Sequence, residues 1–235
     1  MKLQDIEKKY GFEYPELYKR LCLEGMLDRI YYLDYEGNMK LKKDRNPTLL
    51  QYSDDFEILD LREVDEITEF LRGPEDFYRK IKEKFKFIPF GRTGGGDYWG
   101  FLFNENNNEK DEVLIVFLSY DPHITYLAKN FQDFFFKMLL TDMSRKEMHT
   151  DLSDDEFINR LKSVFNSHKK YLTDQQNDVL QSILNQNIID YIIFNPNGYK
   201  EQARGLLTDI EMKKIFNEII PFDKMDMTTF DYLEE

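Results

Sequence analysis

The chain has 235 residues, of which 33% are charged and 15% are aromatic, and its formal net charge is −13. Its 20 Phe and 15 Tyr residues exclude a disordered acidic protein and predict a folded core. The negative charge disfavours direct binding to nucleic acid or to anionic lipid surfaces and favours a basic protein partner, because like charges repel.

The first elements predicted along the chain are two helices and a hairpin. Apolar residues recur at helical spacing over residues 3–10, and a second helix is predicted over residues 15–24, with Pro15 in its first turn. Two short runs, 30–34 and 39–43, flank an Asn- and Gly-containing segment that is typical of a hairpin turn.

The next stretch predicts a strand followed by two helices. Residues 56–61 have the pattern of a strand, and residues 63–71 have the pattern of a helix. Pro74 is suited to the start of a further helix, in which Phe77, Ile81 and Phe85 form one apolar stripe.

The centre of the chain, residues 87–103, has the sequence FIPFGRTGGGDYWGFLF. Two apolar and aromatic runs, 87–90 and 98–103, flank a turn, and four of the six residues 91–96 in that turn are glycine. This pattern predicts a β-hairpin at the centre of a sheet. Glycines in the turn would supply positive φ angles or allow a second chain to approach the backbone.

A glycine-rich turn can also bind phosphate, which is an alternative interpretation of the same residues. A P-loop needs Lys and then Ser or Thr after its last glycine, whereas Asp97 and Tyr98 follow Gly96. A dinucleotide-binding loop must begin a helix, whereas a strand is predicted here. A nucleotide- or phosphate-binding protein that uses the Gly91–Gly96 loop is therefore the weaker alternative.

A loop, a strand and a helix are predicted after the hairpin. Residues 104–111 are polar throughout, residues 113–118 are a continuous apolar run, and residues 119–123 interrupt that run. From Asn130, a suitable N-cap, phenylalanines recur at helical spacing. We expect the buried face of this helix to contain Phe131, Phe134 and Phe135.

These elements together resemble the SUKH superfamily, which groups fungal Smi/Knr cell-wall-synthesis regulators with bacterial immunity proteins that neutralise toxins. The matching segments are Ile88-Pro89-Phe90, Gly94 to Asp97, Tyr98 to Phe101, Val113 to Leu118, and the helix that the family begins at the position of Ala128. Asn130 stands where the family usually has Ser, and Leu23 to Met26 replace its usual Asn-Gly-Gly. The resemblance covers roughly residues 3 to 142, and we predict a SUKH-like domain over residues 1–142.

The remaining residues, 143–235, predict a helical C-terminal extension. Ser153, Thr173 and Thr208 are each followed three residues later by Glu or Gln, which predicts a capping box at the start of three helices. We expect Ile188 to Phe194 to be buried between these helices and residues 195–198 to form a turn.

No catalytic or metal-binding set is predicted. The histidines His123, His149 and His168 lack paired metal spacing, and one cysteine, Cys22, cannot supply a thiolate zinc site or an internal disulfide. Asp121 and His123 could bring a carboxylate and an imidazole into one loop, although an ordinary turn is simpler. We therefore expect a protein without enzymatic activity, cofactor or metal.

The sequence predicts an α+β fold, with a mixed or antiparallel sheet of about five or six strands flanked by helices. No apolar run approaches about 18 residues and the N-terminus is charged, so a cytoplasmic protein without membrane contact is expected. The resemblance implies a non-catalytic protein-binding module, an immunity protein that occludes a basic toxin domain such as a nuclease. The alternative from the same resemblance is a regulatory scaffold of the cell-wall-synthesis regulator type.

Four residues are the candidates for contact with the partner: Asp97, Tyr98, Tyr120 and Asp121. We expect Asp97 to accept backbone N–H groups of the glycine turn or to meet a cation of the partner. Because strand residues alternate between faces, Tyr98 is predicted to be exposed and Trp99 to lie in the core.

Overall fold

The structure is a computed structural model that describes residues 1–28, 31–33, 39–41, 47–73, 80–82, 84–103, 113–120, 123–194 and 198–229. The chain divides into two compact units. Unit 1 comprises Met1–Gln51, Asp55–Phe134 and Phe222–Glu235, and unit 2 comprises Tyr52–Asp54 and Phe135–Pro221. The predicted domain boundary after residue 142 stays a prediction.

Helices and strands are both well represented among the described residues. The α-helices are α1 (Leu3–Tyr10), α2 (Glu16–Leu23), α3 (Leu61–Arg72), α4 (Phe131–Ser144), α5 (Asp154–His168), α6 (Asp174–Ile183) and α7 (Asp209–Ile219). The strands are β1 (Tyr31–Leu33), β2 (Met39–Leu41), β3 (Glu57–Ile58), β4 (Lys86–Arg92), β5 (Tyr98–Phe103), β6 (Leu114–Leu118), β7 (Ile124–Ala128), β8 (Ile189–Phe194), β9 (Lys200–Gly205) and β10 (Thr228–Thr229). The predicted α+β class is confirmed.

Unit 1 contains a six-stranded sheet with the order β10-β7-β6-β5-β4-β3. Every neighbouring pair in it is antiparallel, so of the two predicted types of sheet the antiparallel one is present. The predicted central hairpin is β4 and β5, and its register shifts between Pro89 and Gly91. A bulge at this point accommodates Pro89, which has no N–H for the ladder.

Apolar side chains cover both faces of the sheet. On one face Phe90 and Phe101 lie 4.9 Å apart between ring centroids, and Phe131 of α4 lies 5.2 and 5.4 Å from them. On the other face a second cluster contains Leu71, Ile81, Phe87, Leu102, Val116, Leu118 and Ile124. Burial on both faces explains why β5 has a continuous apolar sequence instead of an alternating one.

Several predicted elements are found with small shifts. The helix α1 ends at Tyr10 with Gly11 as its C-cap, whose φ of 68° is left-handed, and β1 pairs with β2 as predicted. The side chain of Asn130 accepts the N–H of Asp133 at 2.8 Å, which confirms it as the cap of α4. The expected burial of Phe131, Phe134 and Phe135 is confirmed, since each is at most 1% exposed.

Other predictions fall outside the described residues or are wrong. Residues 74–79 of the predicted helix and the polar loop 104–111 lie outside the described residues, and Ile81 is in an isolated bridge, not a helix. Ala128, expected to begin a helix, ends the unpredicted strand β7. The strand β10 was also missed, and it pairs with β7 through Thr228 and Thr125.

Unit 2 contains α5, α6, α7 and the two-stranded sheet of β8 and β9. All three predicted capping boxes are confirmed, because the side chains of Ser153, Thr173 and Thr208 each accept the expected N–H. The prediction that residues 188–194 are buried between helices is wrong, since β8 is largely exposed. No helix in the described part of the chain is long and apolar enough to span a membrane.

Candidate protein-binding site at the sheet tip

The turn between β4 and β5, residues Thr93 to Asp97, is closed by its own hydrogen bonds. The Thr93 N–H donates to the Asp97 carbonyl at 3.0 Å, and the Gly96 N–H donates to the Thr93 carbonyl at 3.2 Å. Of the three consecutive glycines, Gly96 alone has a positive φ, at 88°. Of the two roles expected for these glycines, a positive φ angle or close approach by a second chain, the first is found at Gly96.

Two other glycines of the hairpin are required by close packing. A Cβ at Gly91 would lie 2.6 Å from the Phe56 ring, and a Cβ at Gly100 would lie 2.4 Å from the Phe87 ring. Gly95 is different, because a Cβ there would lie 3.5 Å from its nearest neighbour, an ordinary van der Waals distance. Neither packing nor backbone conformation demands glycine at position 95, although glycine there increases the entropy lost on folding.

Asp97 connects this turn to the turn between β6 and β7. Its carboxylate accepts the backbone N–H of Tyr120 at 2.5 Å and the hydroxyl of Thr93 at 3.3 Å. The expected N–H donors in the glycine turn are therefore replaced by one in the neighbouring turn. Since β5 and β6 are adjacent antiparallel strands, both turns lie at the same end of the sheet, which we call the sheet tip.

The structure brings three of the predicted contact residues to the sheet tip. Tyr120 is 57% exposed, and its main chain is held by Asp97. Trp99 is buried as predicted, with its ring 5.1 Å from those of Phe56 and Phe117. Tyr98 is half-buried against the second apolar cluster, so its predicted exposure is wrong because the opposite face of the sheet is covered too. Asp121 lies outside the described residues.

Sequence reasoning missed a second carboxylate at the tip. The side chain of Asp55 accepts the Gly94 N–H at 2.8 Å, across a separation of 39 residues that carries no local signal. Asp55 also has a left-handed φ of 50°, a conformation that Asp tolerates better than most residues. Two acidic side chains, Asp55 and Asp97, therefore flank an exposed turn that presents little side-chain bulk.

Neither a cluster of metal ligands nor an activated thiol is found in the described part of the chain. Among the described residues, no group of three or more His, Cys, Asp and Glu side chains is placed to hold a metal ion. Burial raises the pKa of the Cys22 thiol, which lowers its reactive thiolate fraction.

The model of the SMI1 / KNR4 family (SUKH-1) matches residues 2–137. The match therefore includes the whole sheet tip, from Asp55 to Tyr120. No curated protein and no solved structure is significantly similar to this chain.

Proposed function

The chain belongs to the SMI1 / KNR4 family (SUKH-1), and on that premise we propose that it is an immunity protein that neutralises a toxin by direct binding. Membership in this family fits a non-catalytic immunity or regulatory role in general. The toxin and the use of the sheet tip as the binding surface are the specific parts of the proposal.

The observation that carries the proposal is the hydrogen bond from the Tyr120 N–H to the Asp97 carboxylate. This bond fixes the main chain of an exposed tyrosine beside a glycine turn. The main chain of Tyr120 therefore loses little conformational entropy when a partner binds. Aromatic side chains with a rigid support are common energetic anchors in protein interfaces. The exposed Gly94 and Gly95 leave room for the partner surface to approach the main chain.

Charge supports a basic partner. Asp55 and Asp97 lie at the tip, and the whole chain carries a formal net charge of −13. Such a charge accelerates encounter with a basic surface, and the acceleration weakens as salt shortens the Debye length to about 8 Å at physiological ionic strength. We expect association to slow as salt rises and dissociation to change much less.

The experiment measures binding kinetics between the full chain and the purified product of the neighbouring reading frame, at low, physiological and high salt. Tyr120→Ala should raise the dissociation rate about tenfold or more. Tyr199→Ala is the matched control, because Tyr199 is 69% exposed in unit 2. Gly95→Arg should block binding while the melting temperature is kept, because a side chain has room there.

Equal effects of Tyr120→Ala and Tyr199→Ala would contradict the assignment of the sheet tip. Salt-independent association would contradict the electrostatic part. A neighbouring product whose toxicity is unaffected by co-expression of this chain would contradict the immunity function itself.

The same family membership favours a second candidate, a regulatory scaffold of the cell-wall-synthesis regulator type. It differs in expecting several weak partners in place of one tight partner. A nucleotide-binding loop is the weaker alternative, because the N–H groups of Gly94, Gly96 and Asp97 already donate to Asp55 and Thr93. A thermal shift of the full chain with ATP would contradict that judgement.

A further inference from the structure

The hairpin of β8 and β9 leaves one edge of β8 without a strand neighbour in the described part of the chain. The Arg204 N–H donates to the Glu147 carboxylate at 2.9 Å, away from β8, so Asp190 and Arg204 form a non-hydrogen-bonded pair. Because antiparallel pairs alternate, the N–H and C=O groups of Asp190, Ile192 and Phe194 all point to the open edge.

The side chains of the same residues lie on the exposed face of this hairpin. Ile192 is 44% exposed and Phe194 is 71% exposed. The opposite face is held within unit 2, since Ile193 is buried and the Tyr191 hydroxyl donates to the Ser144 carbonyl at 2.8 Å. The hairpin is therefore fixed on one face and open both on the other face and at the edge.

Edge strands usually carry features that prevent pairing with another chain, such as Lys, Pro or a bulge. The strand β8 has none of these in its sequence IDYIIF. Its one charged side chain, Asp190, is already bound by Arg204 at 2.7 Å. The edge is thus open to an added strand through main-chain hydrogen bonds.

We propose that this edge pairs with β8 of a second copy of the chain, in an antiparallel register centred on Ile192. The outward-directed positions 190, 192 and 194 are symmetric about 192. A twofold axis therefore places Ile192 opposite Ile192 of the second copy and Asp190 opposite Phe194 of the second copy. All three outward N–H and C=O pairs on each strand then find partners, which extends the two-stranded sheet to four strands.

Charge supports this register. The Lys200 ammonium lies 5.5 Å from the centre of the Phe194 ring in the same chain. In the proposed register, Asp190 of one copy therefore lies opposite an aromatic ring of the second copy that has a cation beside it. The two Asp190 residues are four positions apart along the paired strands, about 13 Å, which exceeds the Debye length of about 8 Å at physiological salt. The overall charge of −13 on each copy still opposes association, so the dimer should strengthen as salt rises.

Sedimentation velocity of the full chain, from roughly 1 to 300 µM, tests the proposal in a range suited to a small interface. We expect a concentration-dependent dimer that is favoured by salt. Ile192→Lys should abolish it, because two ammonium groups would meet at the twofold axis. Ile210→Lys makes the same change at a position that is 81% exposed in α7, and it should leave the dimer intact.

The register is tested by disulfide formation in a Cys22→Ser background. Ile192→Cys should yield a covalent dimer on mild oxidation, because opposite Cα atoms in a hydrogen-bonded pair are about 5.5 Å apart. Phe194→Cys should not, because it lies about 13 Å from its copy. A chain that stays monomeric throughout, a dimer that persists with Ile192→Lys, or equal cross-linking by Phe194→Cys would overturn the proposal. Association with a basic protein through this edge, weakened by salt, would overturn it in favour of that other occupant.

Discussion

The hairpins β4–β5 and β8–β9 each contain a largely apolar strand, β5 and β8, and these two strands have different surroundings. The strand β5 has the sequence YWGFLF and a strand neighbour on each side, and its four central residues are buried. Among the described residues, the strand β8, with the sequence IDYIIF, has one strand neighbour and a single buried residue, Ile193. The apolar content of a strand therefore does not determine its burial, because burial depends on which elements pack beside it.

The difference also separates the two kinds of contact that the hairpins can make. The central hairpin has a strand neighbour on each side and apolar clusters on both faces, so its turn and the side chains held there are the parts most open to a partner. The strand β8 has an edge without a strand neighbour in the part of the chain that the structure describes. The proposed recognition at the sheet tip would therefore depend on specific side chains such as Tyr120, whereas the proposed pairing at β8 would depend on backbone groups and register.

The largest expected effect compares a phenylalanine from each hairpin. Phe101 is fully buried, so Phe101→Ala should lower the free energy of unfolding by about 3–5 kcal/mol. Phe194 is 71% exposed, so Phe194→Ala should change it by no more than about 0.5 kcal/mol. Urea unfolding followed by circular dichroism, at a concentration where the chain is monomeric, measures both. Similar losses for the two variants would contradict the comparison.

The parts of the fold that were predicted from the sequence depend on local signals. The capping boxes at Ser153, Thr173 and Thr208 need only a side chain and a backbone group three residues later. The central hairpin could also be predicted from a local signal, because glycines separate its two apolar runs. Burial of Trp99 followed from its place in the middle of such a run.

The parts that were missed depend on partners distant in sequence or on patterns that apolar periodicity cannot reveal. The strand β9 has the sequence KEQARG, and only Ala203 and Gly205 in it are buried. The apolar run 188–194 has the length of either a strand or a buried segment between helices. At the sheet tip, neither the bond from Tyr120 to Asp97 nor that from Gly94 to Asp55 has a local signature.

An effect of intermediate size comes from a buried carboxyl group in unit 2, whose titration makes the stability depend on pH. Asp142 is buried with its carboxylate 2.5 Å from the Ser53 hydroxyl, and burial raises its pKa to about 7. Its pKa in the unfolded chain is about 3.9, so the folded state binds the proton more tightly and stability falls as pH rises from about 4 to about 7.

Asp142→Asn keeps an acceptor for Ser53 and removes the buried charge. The free energy of unfolding of Asp142→Asn should be nearly equal to that of the parent at about pH 4 and should exceed it by roughly 2–4 kcal/mol at about pH 8. Thermal or urea unfolding across this pH range measures the difference. Asp178→Asn is the control, because Asp178 is exposed in the same unit. If the free energies of unfolding of Asp142→Asn and the parent differed by the same amount at every pH, the Asp142 carboxyl group would not titrate between about pH 4 and about pH 8.

The smallest expected change in stability is found by substituting two glycines of the central hairpin, one at a time, by alanine. Gly100→Ala would place a Cβ 2.4 Å from the Phe87 ring and 2.9 Å from the Ile88 carbonyl oxygen, so we expect a loss of about 1–3 kcal/mol. Gly95→Ala has room and no positive φ to lose, so we expect no loss and up to about 1 kcal/mol of stabilisation through the unfolded state.

Binding data on the same pair then separate folding from recognition. If a bare main chain at position 95 serves the partner, Gly95→Ala should weaken toxin binding while the melting temperature is unchanged or higher. A stability loss in Gly95→Ala as large as that in Gly100→Ala would mean that the turn itself requires glycine there. In that case the absence of a side chain at position 95 would be explained by folding, and the sheet tip would depend on Tyr120 and its hydrogen bond to Asp97 alone.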